Sequence, residues 1–160
     1  MKKVIFALFL VLASVNASAQ FEKGTQFGNT YLSGLGIGYG GTEKFYFGFG
    51  GDYGYFIENN WMLRAGAGYQ HEDEYNAFKL NLGARYYFKK CGVFTGLGLQ
   101  YEHKHKGSAY NWFQFVPEVG YCFYVNHYIS LEPSVYADLC CNDWSNGSRV
   151  GLKFGVGIYW

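Results

Sequence analysis

Proline is rare in this sequence, with two residues among 160, and charged residues make up only 16% of it. The formal net charge of +1 gives no electrostatic basis for binding nucleic acid. Glycine and aromatic residues are abundant instead, with 23 glycines and 22% aromatics. This composition indicates an ordered chain with many strands and argues against a disordered one.

Long hydrophobic runs are also absent beyond the N-terminus. Residues 4–13 form an apolar run that follows two lysines and precedes an Ala-x-Ala site ending at Ala19. The run is shorter than the about 20 residues that a membrane-spanning helix needs. The pattern predicts a signal peptide over residues 1–19, cleaved after Ala19, and one mature domain over residues 20–160.

Eight segments of the mature chain alternate between apolar and polar or small residues, with no helical periodicity between them. They are residues 30–39, 45–56, 61–70, 77–88, 93–102, 112–124, 128–139 and 149–160. Tight turns alternate with longer polar loops between the segments, as in outer-membrane barrels. Open sheet edges cannot exist in lipid. The sequence therefore predicts an all-β fold, an eight-stranded antiparallel up-and-down transmembrane β-barrel.

One face of each segment is apolar and carries no charge, as contact with acyl chains requires. Its aliphatic positions include Leu35, Ile37, Leu63, Ala65, Ala67, Leu80, Leu82, Ala84, Leu97, Leu99, Val119, Leu131, Val135, Leu152 and Val156, joined by Phe47, Phe49 and Phe154. Aromatic residues flank them at the short-turn end, namely Tyr31, Tyr53, Tyr55, Trp61, Tyr86, Phe88, Tyr121, Phe123 and Trp160. Others flank them at the long-loop end, namely Tyr39, Phe45, Tyr69, Phe78, Tyr101 and Phe113. Two such belts are typical of a barrel that crosses a bilayer.

The opposite face is rich in glycine and carries eight ionisable residues, four acidic and four basic. They are Asp52, Arg64, Lys79, Arg85, Glu102, Glu118, Glu132 and Lys153. The lumen of an eight-stranded barrel is just wide enough for side chains, and buried charges persist when they are paired. The sequence therefore predicts an ion-pair network that fills the lumen.

Hairpin register predicts which of these charges face each other. Lys79 lies across from Glu102, and Asp52 lies across from Arg64 to within about one step. Glu132 is expected to face Lys153. Glu118 is expected to fall opposite Glu132, so that Arg64, Arg85 or Lys153 must reach between the two carboxylates. Two prolines, Pro117 and Pro133, lie inside adjacent strands, and a bulge on each strand is the expected accommodation.

The signal peptide, the eight amphipathic segments and the ending GLKFGVGIYW resemble the small outer-membrane β-barrel proteins of Gram-negative bacteria. These are the OmpX-like and OmpA-transmembrane-domain-like families, in particular the porin family, outer membrane β-barrel domain proteins of Bacteroidota. The resemblance implies that outer-membrane lipid, lipopolysaccharide and the barrel-assembly machinery are partners, and that the cell envelope is the location. It also implies that Phe154, Val156, Ile158 and Trp160 form the signal that the assembly machinery reads.

Other candidate sites are weaker. The G-x-G-x-x-G spacing at residues 36–41 precedes a strand rather than a helix, so it does not indicate a dinucleotide site. His71, His103 and His105, beside acidic loop residues, offer metal-type ligands at loose spacing, and no metal site is assigned. Cys91 and Cys122 come close by register and form a possible disulfide, although their side chains differ in parity. The adjacent Cys140 and Cys141 are expected to form a vicinal bond or to remain free.

The sequence favours a non-enzymatic outer-membrane barrel without a cofactor or a conducting pore, whose outer loops serve a structural or surface-recognition role. The alternative is a lipid A-modifying enzyme on the same barrel, for which His71, Glu72, His103 and Ser108 are the candidates near the outer belt. A third possibility is a secreted lipocalin-like barrel with its apolar face inward. That arrangement would leave the two aromatic belts without a purpose.

Overall fold

The computed structural model describes residues 21–38, 43–72, 75–88, 91–106, 108–142, 144 and 148–160. Within these ranges, it does not describe the side chains of residues 35–38, 43–46, 72, 75, 105, 106 and 108–110. The predicted signal peptide, residues 1–19, lies outside the described residues, as do Tyr39 and the side chain of Phe45. No helix in the described part of the chain is long and apolar enough to span a membrane.

Nine strands make up almost all of the described chain. They are β1 (Gln26–Gly38), β2 (Glu43–Glu58), β3 (Trp61–Glu72), β4 (Tyr75–Tyr87), β5 (Val93–Lys106), β6 (Ser108–Tyr121), β7 (Phe123–Tyr124), β8 (Ile129–Cys140) and β9 (Arg149–Tyr159). The two-residue β7 continues β6 after an interruption at Cys122, and both pair with β8. Counting β6 and β7 as one, the barrel wall therefore has eight strands.

The strands form one closed antiparallel sheet. Consecutive strands pair from β1 to β6, the first strand pairs with β9, and β8 joins β9 to β6 and β7. Every strand thus has two hydrogen-bonded neighbours and no open edge remains. This arrangement pairs the backbone N–H and C=O groups, as a lipid environment requires. The predicted eight-stranded up-and-down barrel is confirmed.

The strands at the long-loop end extend beyond the predicted segments. The pairing of β3 with β4 continues to Glu72 and Tyr75, and that of β5 with β6 continues to Lys106 and Ser108. Residues 103–106 and 108–111, which the sequence predicted as parts of a loop, are therefore strand. Polar residues can extend a hairpin past the apolar zone because the ladder hydrogen bonds do not depend on side-chain polarity.

Apolar side chains point away from the barrel and charged side chains point into it. Leu82 and Leu99 are 65% and 66% exposed, whereas Arg85 and Glu102 are 1% and 0% exposed. All seven described phenylalanine, leucine and valine residues from the predicted outer face of β2, β5 and β9 are exposed, namely Phe47, Phe49, Leu97, Leu99, Leu152, Phe154 and Val156. An outward apolar face is what acyl chains can solvate.

The first strand departs from the predicted alternation. Tyr31 was predicted in the outer belt but is buried in the lumen, while its neighbour Leu32 is exposed. The register of β1 against both of its neighbours shifts between Gly34 and Gly36. A bulge adds one residue to a strand, so alternate residues that face the lumen on one side of it face outward on the other side. Gly34, which was predicted to face the lumen, therefore lies on the outer face with Leu32.

The two prolines are accommodated without the predicted bulges. The pairing of β6 and β7 with β8 keeps a single register from Gln114↔Cys140 to Tyr124↔Ser130. The bulge prediction at Pro117 and Pro133 is therefore wrong. Each proline interrupts the ladder locally because it lacks a donor, and the register continues on both sides of the gap.

Candidate functional site

Two groups of ion pairs occupy the lumen at different heights. The lower cluster, nearer the short turns, contains Asp52, Arg64, Arg85, Glu118, Glu132 and Lys153. The upper cluster, nearer the long loops, contains Lys79, Glu102, Lys104, Asp138 and Arg149. The structure thus places all eight predicted residues inside the barrel and divides them between the two clusters.

Glu118 is the centre of the lower cluster. Its carboxylate accepts hydrogen bonds from the guanidinium groups of Arg64 and Arg85, the latter at 3.1 Å, and from Ser134 Oγ at 2.8 Å. Arg85 also donates from Nη1 to Glu132 Oε2 at 2.8 Å. One guanidinium therefore joins two carboxylates, as a planar fork with several donors can do.

The lower cluster balances its charges. Arg64 Nη1 lies 3.2 Å from Asp52 Oδ2, and Lys153 Nζ lies 3.7 Å from Glu118 Oε1. Three carboxylates thus face two guanidinium groups and one ammonium group. Pairing of this kind offsets the large cost of removing each ion from water.

In the upper cluster, two carboxylates share three cations. Lys79 Nζ lies 3.8 Å from Glu102 Oε2 and 3.4 Å from Asp138 Oδ2. Arg149 contacts the same two carboxylates at 3.1 Å and 2.8 Å. Lys104 Nζ lies 3.3 Å from Glu102 Oε1 and stands 3.9 Å from the centre of the Trp112 ring, a cation–π distance.

Three members of the upper cluster, Lys104, Asp138 and Arg149, were absent from the sequence-based set. Asp138 has the same parity as Glu132 on β8, so strict alternation could have identified it. Lys104 fell in a predicted loop that is in fact part of β5. Arg149 is the first residue of β9, where a terminal position gave no alternation to follow.

The structure brings together two of the predicted pairs and corrects two others. Lys79 is the direct cross-strand partner of Glu102, and Asp52 pairs with Arg64. Glu132, however, lies across from Gly155 rather than Lys153. Glu118 lies across from Tyr136 rather than Glu132. Both errors come from uncertain turn lengths, since each residue added to a loop displaces the register of the following strand.

Below the lower cluster, a set of buried apolar residues lies at the short-turn end of the barrel. This aromatic floor consists of Phe21, Phe27, Phe56, Met62, Tyr87, Phe94, Cys122, Tyr124 and Tyr159. The sequence reading missed it because aromatic residues occupy both parities in this part of the strands, as in the runs Tyr86–Tyr87–Phe88 and Phe123–Tyr124. Alternation alone does not separate inward from outward rings there.

Phe21 completes the aromatic floor from outside the strands. Its ring is 3% exposed and stacks on Tyr87 with the ring centres 4.4 Å apart. Its carbonyl accepts a hydrogen bond from the Asn60 amide at 2.7 Å. Gly24 then turns the chain into β1 with a φ of 94°, a left-handed conformation that glycine adopts without strain.

The exposed turn beside Phe21 carries its own polar contacts. The Lys23 amide donates to Asn59 Oδ1 at 3.0 Å, and Lys23 Nζ lies 3.4 Å from Glu58 Oε2. The Asn59 amide and the Lys23 ammonium hold the pKa of the Glu58 carboxyl below its usual value. These contacts fasten residues 21–24 to the hairpin between β2 and β3.

The described residues line a small void of about 20 Å³ that borders both clusters. Its lining includes Lys79 of the upper cluster and Lys153 of the lower cluster, together with Tyr31, Gln70 and Gln100. A space of this size holds about one water molecule.

The predicted disulfide between Cys91 and Cys122 is not formed, and both residues are free. Cys122 Sγ points into the lumen, 3.5 Å from the Tyr159 hydroxyl and 3.7 Å from Glu132 Oε1. Cys91 is exposed in the turn, so the two thiols face different sides of the wall, as their parity indicated. Cys140 and Cys141 are also free, one buried and one exposed.

Two histidines near the long-loop ends of β3 and β5 contact amide side chains. His71 Nδ1 lies 2.7 Å from Asn76 Oδ1, and His103 Nδ1 lies 2.7 Å from Asn111 Oδ1. No group of three or more metal-type ligands occurs among the residues whose positions are described. The side chains of Glu72 and Ser108 lie outside the described part, so the predicted enzyme cluster is only partly visible, and the side chain of His105 also lies outside it.

The predicted assembly signal lies on the outer surface of the last strand. Phe154, Val156 and Ile158 on β9 are exposed, and Trp160 follows them at the chain end with 56% exposure. The four residues share one parity and one face.

Comparison with known proteins identifies the fold but no sequence family. No protein-family model matches the chain, and no curated protein matches it either. Solved structures do match. The N-terminal β-barrel domain of Pseudomonas aeruginosa OprF superposes with a TM-score of 0.71 at 15% identity, covering 86% of this chain and 98% of that one.

Two further structures have the same architecture. Neisserial surface protein A, NspA, matches with a TM-score of 0.64 at 15% identity, over 86% of this chain and 98% of its own. Ail, the attachment invasion locus protein of Yersinia pestis, matches with a TM-score of 0.55 at 13% identity, over 87% and 99%. These neighbours are small outer-membrane β-barrels, so the predicted likeness to the OmpA- and OmpX-type barrel fold is confirmed.

Proposed function

We propose that this chain is an integral protein of the bacterial outer membrane, a rigid barrel whose lumen is filled by side chains and conducts no ions. Its outer loops serve a structural or surface-recognition role. Residues 1–19 direct export and are removed, and the barrel then contacts outer-membrane lipid and lipopolysaccharide. No catalytic activity, cofactor or nucleic-acid partner is part of the proposal.

The single observation that carries the proposal is the opposite placement of apolar and charged side chains. Phe47 and Phe49 are 53% and 55% exposed, while Glu118 and Arg85 are each 1% exposed. In water this arrangement would expose a belt of hydrocarbon to solvent. In a bilayer it removes a cost of about 2–4 kcal/mol for each cation that would otherwise face lipid. The outward placement of the apolar side chains also disfavours the lipocalin-like alternative, in which the apolar face would point inward.

The side chains inside the barrel support the absence of conduction. The aromatic floor lies at the short-turn end, and paired charges lie at the two levels above it. The fold neighbours are likewise small barrels, and eight strands enclose a space just wide enough for side chains.

The last strand supports a role in biogenesis. Phe154, Val156, Ile158 and Trp160 present one continuous apolar edge of alternate residues on the outer face. We propose that the barrel-assembly machinery reads this edge. The enzyme alternative has less support, because among the described side chains His71 and His103 contact Asn76 and Asn111.

The membrane location is tested by separating inner and outer membranes of cells that express the full chain. The protein is expected in the outer-membrane fraction. It is also expected to migrate faster in SDS gels before boiling than after, since a closed barrel with no free edge resists SDS. Recovery in the soluble periplasmic fraction would overturn the proposal.

Conduction is tested separately by recording currents across planar bilayers that contain the purified barrel. No large and stable conductance is expected. Mass spectra of lipid A from cells with and without the gene address the enzyme alternative, and unchanged spectra are expected. A stable pore or a modified lipid A would replace the corresponding part of the proposal.

A further inference from the structure

Both prolines of the chain lie on the strand pair that closes the barrel. Pro117 is in β6 and Pro133 is in β8. Along this pair, residues 114, 115, 118, 119, 120, 123 and 124 form ladder pairs with β8, whereas residues 116, 117, 121 and 122 do not. We name the pairing of β6 and β7 with β8 the proline seam.

The two gaps in the proline seam follow from the two missing donors. In the constant register of the seam, Pro117 stands across from Ala137 and Pro133 stands across from Tyr121. A proline nitrogen carries no hydrogen, so one ladder hydrogen bond is lost at each position. The paired rows on either side remain, which explains why the gaps do not shift the register.

A groove of about 620 Å³ lies on the outer surface across this seam. Its lining follows two rows of cross-strand neighbours, one running from Val119 through Val135, Leu152 and Gly34 to Phe47, and the other through Tyr121, Pro133, Phe154 and Leu32. The rows cross β6, β8, β9, β1 and β2. The groove is therefore narrow along the strands and long across them.

The two rows form the sides of the groove, where Leu152 and Phe154 are 52% and 53% exposed. The row between them, made of Ser33, Gly120, Ser134 and Lys153, also lines the groove and has the parity that faces the lumen, so its backbone forms the floor. Lys153 also borders the groove, but its ammonium turns inward to Glu118 at 3.7 Å. The lining thus offers hydrocarbon and no charge.

The length of the groove fits a lipid tail. Five neighbouring strands span about 19 Å, since each inter-strand spacing is about 4.8 Å. One leaflet of a bilayer contributes about 15 Å of hydrocarbon. A long acyl chain therefore has the length to follow the groove, and its volume lies in the range of ordinary ligand sites.

We propose that this groove binds one acyl chain of a membrane lipid at a fixed position on the barrel wall; the proposal rests on the proposed membrane location. A flexible chain fills a narrow recess along its whole length.

The test uses the full barrel in vesicles of phosphatidylethanolamine and phosphatidylglycerol that contain a small fraction of phospholipid with a photoreactive diazirine in its acyl chain. After irradiation, labelled positions are mapped by mass spectrometry. Labelling at Val119, Val135 and Leu152 is expected to exceed labelling at Leu82 and Leu99 about tenfold, which corresponds to about 1.4 kcal/mol.

Two variants sharpen the test. Val135→Phe fills the groove and is expected to abolish the excess labelling there. Leu82→Phe adds a ring at an outward position on β4, away from the groove, and is expected to leave the excess unchanged. Both positions are exposed, at 48% and 65%, so neither ring disturbs the core.

The remaining outcomes are separable. Equal labelling at all outward positions would overturn the groove site and leave the membrane barrel intact. No labelling of outward positions at all would instead contradict the proposed membrane location. A cross-linked dimer joined through Val119 or Val135, with these positions shielded from the lipid probe, would show that a second copy occupies the groove and would also overturn the proposal.

Discussion

At the scale of single residues, a few buried side chains each pair with several others. Glu118 receives Arg64, Arg85 and Ser134, and Arg85 in turn reaches Glu132. Removing one member leaves its partners ionised and buried inside the barrel, and the cost of an uncompensated buried charge exceeds the stabilisation that the intact pair provides.

Replacement of Arg85 by Met is expected to lower the free energy of unfolding by about 3–5 kcal/mol, because Glu118 and Glu132 lose their shared cation. Urea titration of the barrel in lipid vesicles, followed by gel migration, measures the change. Arg85→Lys keeps a charge without the fork and should lie between Met and the natural residue.

The exposed pair Lys23–Glu58 provides the control for this prediction. Both of its side chains are well exposed, at 64% and 60%, so Lys23→Met should change stability little. Equal effects of Arg85→Met and Lys23→Met would contradict a stabilising role for the buried network.

Phe21 stabilises the barrel through contacts with residues that are near it in space but distant in sequence. Phe21→Ala is expected to destabilise the barrel by about 2–3 kcal/mol, somewhat less than the about 3–5 kcal/mol seen in rigid cores, because a terminal segment can move to refill the space. Phe21→Leu should recover much of the loss. If thermal unfolding of Phe21→Ala matched the natural protein, the ring would not belong to the floor.

At the scale of strands, the sequence could predict what alternation controls. Apolar and polar residues alternate cleanly in β3, β4 and β5, and the facing of Leu82, Arg85 and Glu102 follows directly from it. The facing of Tyr31 could not be predicted, since a bulge at Gly34/Gly36 reverses the parity within β1. Alternation reports facing only while the register is constant.

Some cross-strand pairings could not be predicted for a related reason, and one of them spans a short turn, since Glu118 lies across from Tyr136 rather than Glu132. Lys79 and Glu102 are joined by a tight turn, and their partnership was read correctly from the sequence. Glu132 and Lys153 are joined through a longer connection, and the predicted partnership was two residues out, since Lys153 stands across from Ser134. The aromatic floor was missed because rings occupy both faces at that level.

The proline seam gives a prediction that belongs to this scale. Pro133→Val restores a backbone donor across from Tyr121 and is expected to stabilise the barrel by about 0.5–1.5 kcal/mol, the net value of one hydrogen bond. Pro117→Val should do the same across from Ala137. Urea midpoints measured in lipid vesicles report the change.

Val135→Ile is the matched control, since it adds bulk at the same seam without adding a donor. This replacement is expected to leave the urea midpoint nearly unchanged. Destabilisation by both proline replacements would show that the rings, rather than the missing donors, determine the strength of the seam.

At the scale of the whole molecule, the fold reverses the arrangement of a soluble protein, with apolar side chains outside and charged side chains inside. The closed ladder satisfies the backbone, the outer wall is hydrocarbon, and the ionised groups are paired inside. The same architecture occurs in OprF, NspA and Ail at 15% identity or less. Such low identity indicates that the pattern of facing, rather than particular residues, specifies this fold.

The most direct test of this account is a spin-label scan along β4 in lipid vesicles, with one label at each of residues 80 to 84. Oxygen concentrates in the hydrocarbon of a bilayer, so it reports contact with acyl chains. We predict that collision with oxygen is high at Leu80, Leu82 and Ala84 and low at Asn81 and Gly83. The reverse alternation, or equal access of a water-soluble relaxation agent to all five positions, would contradict the account.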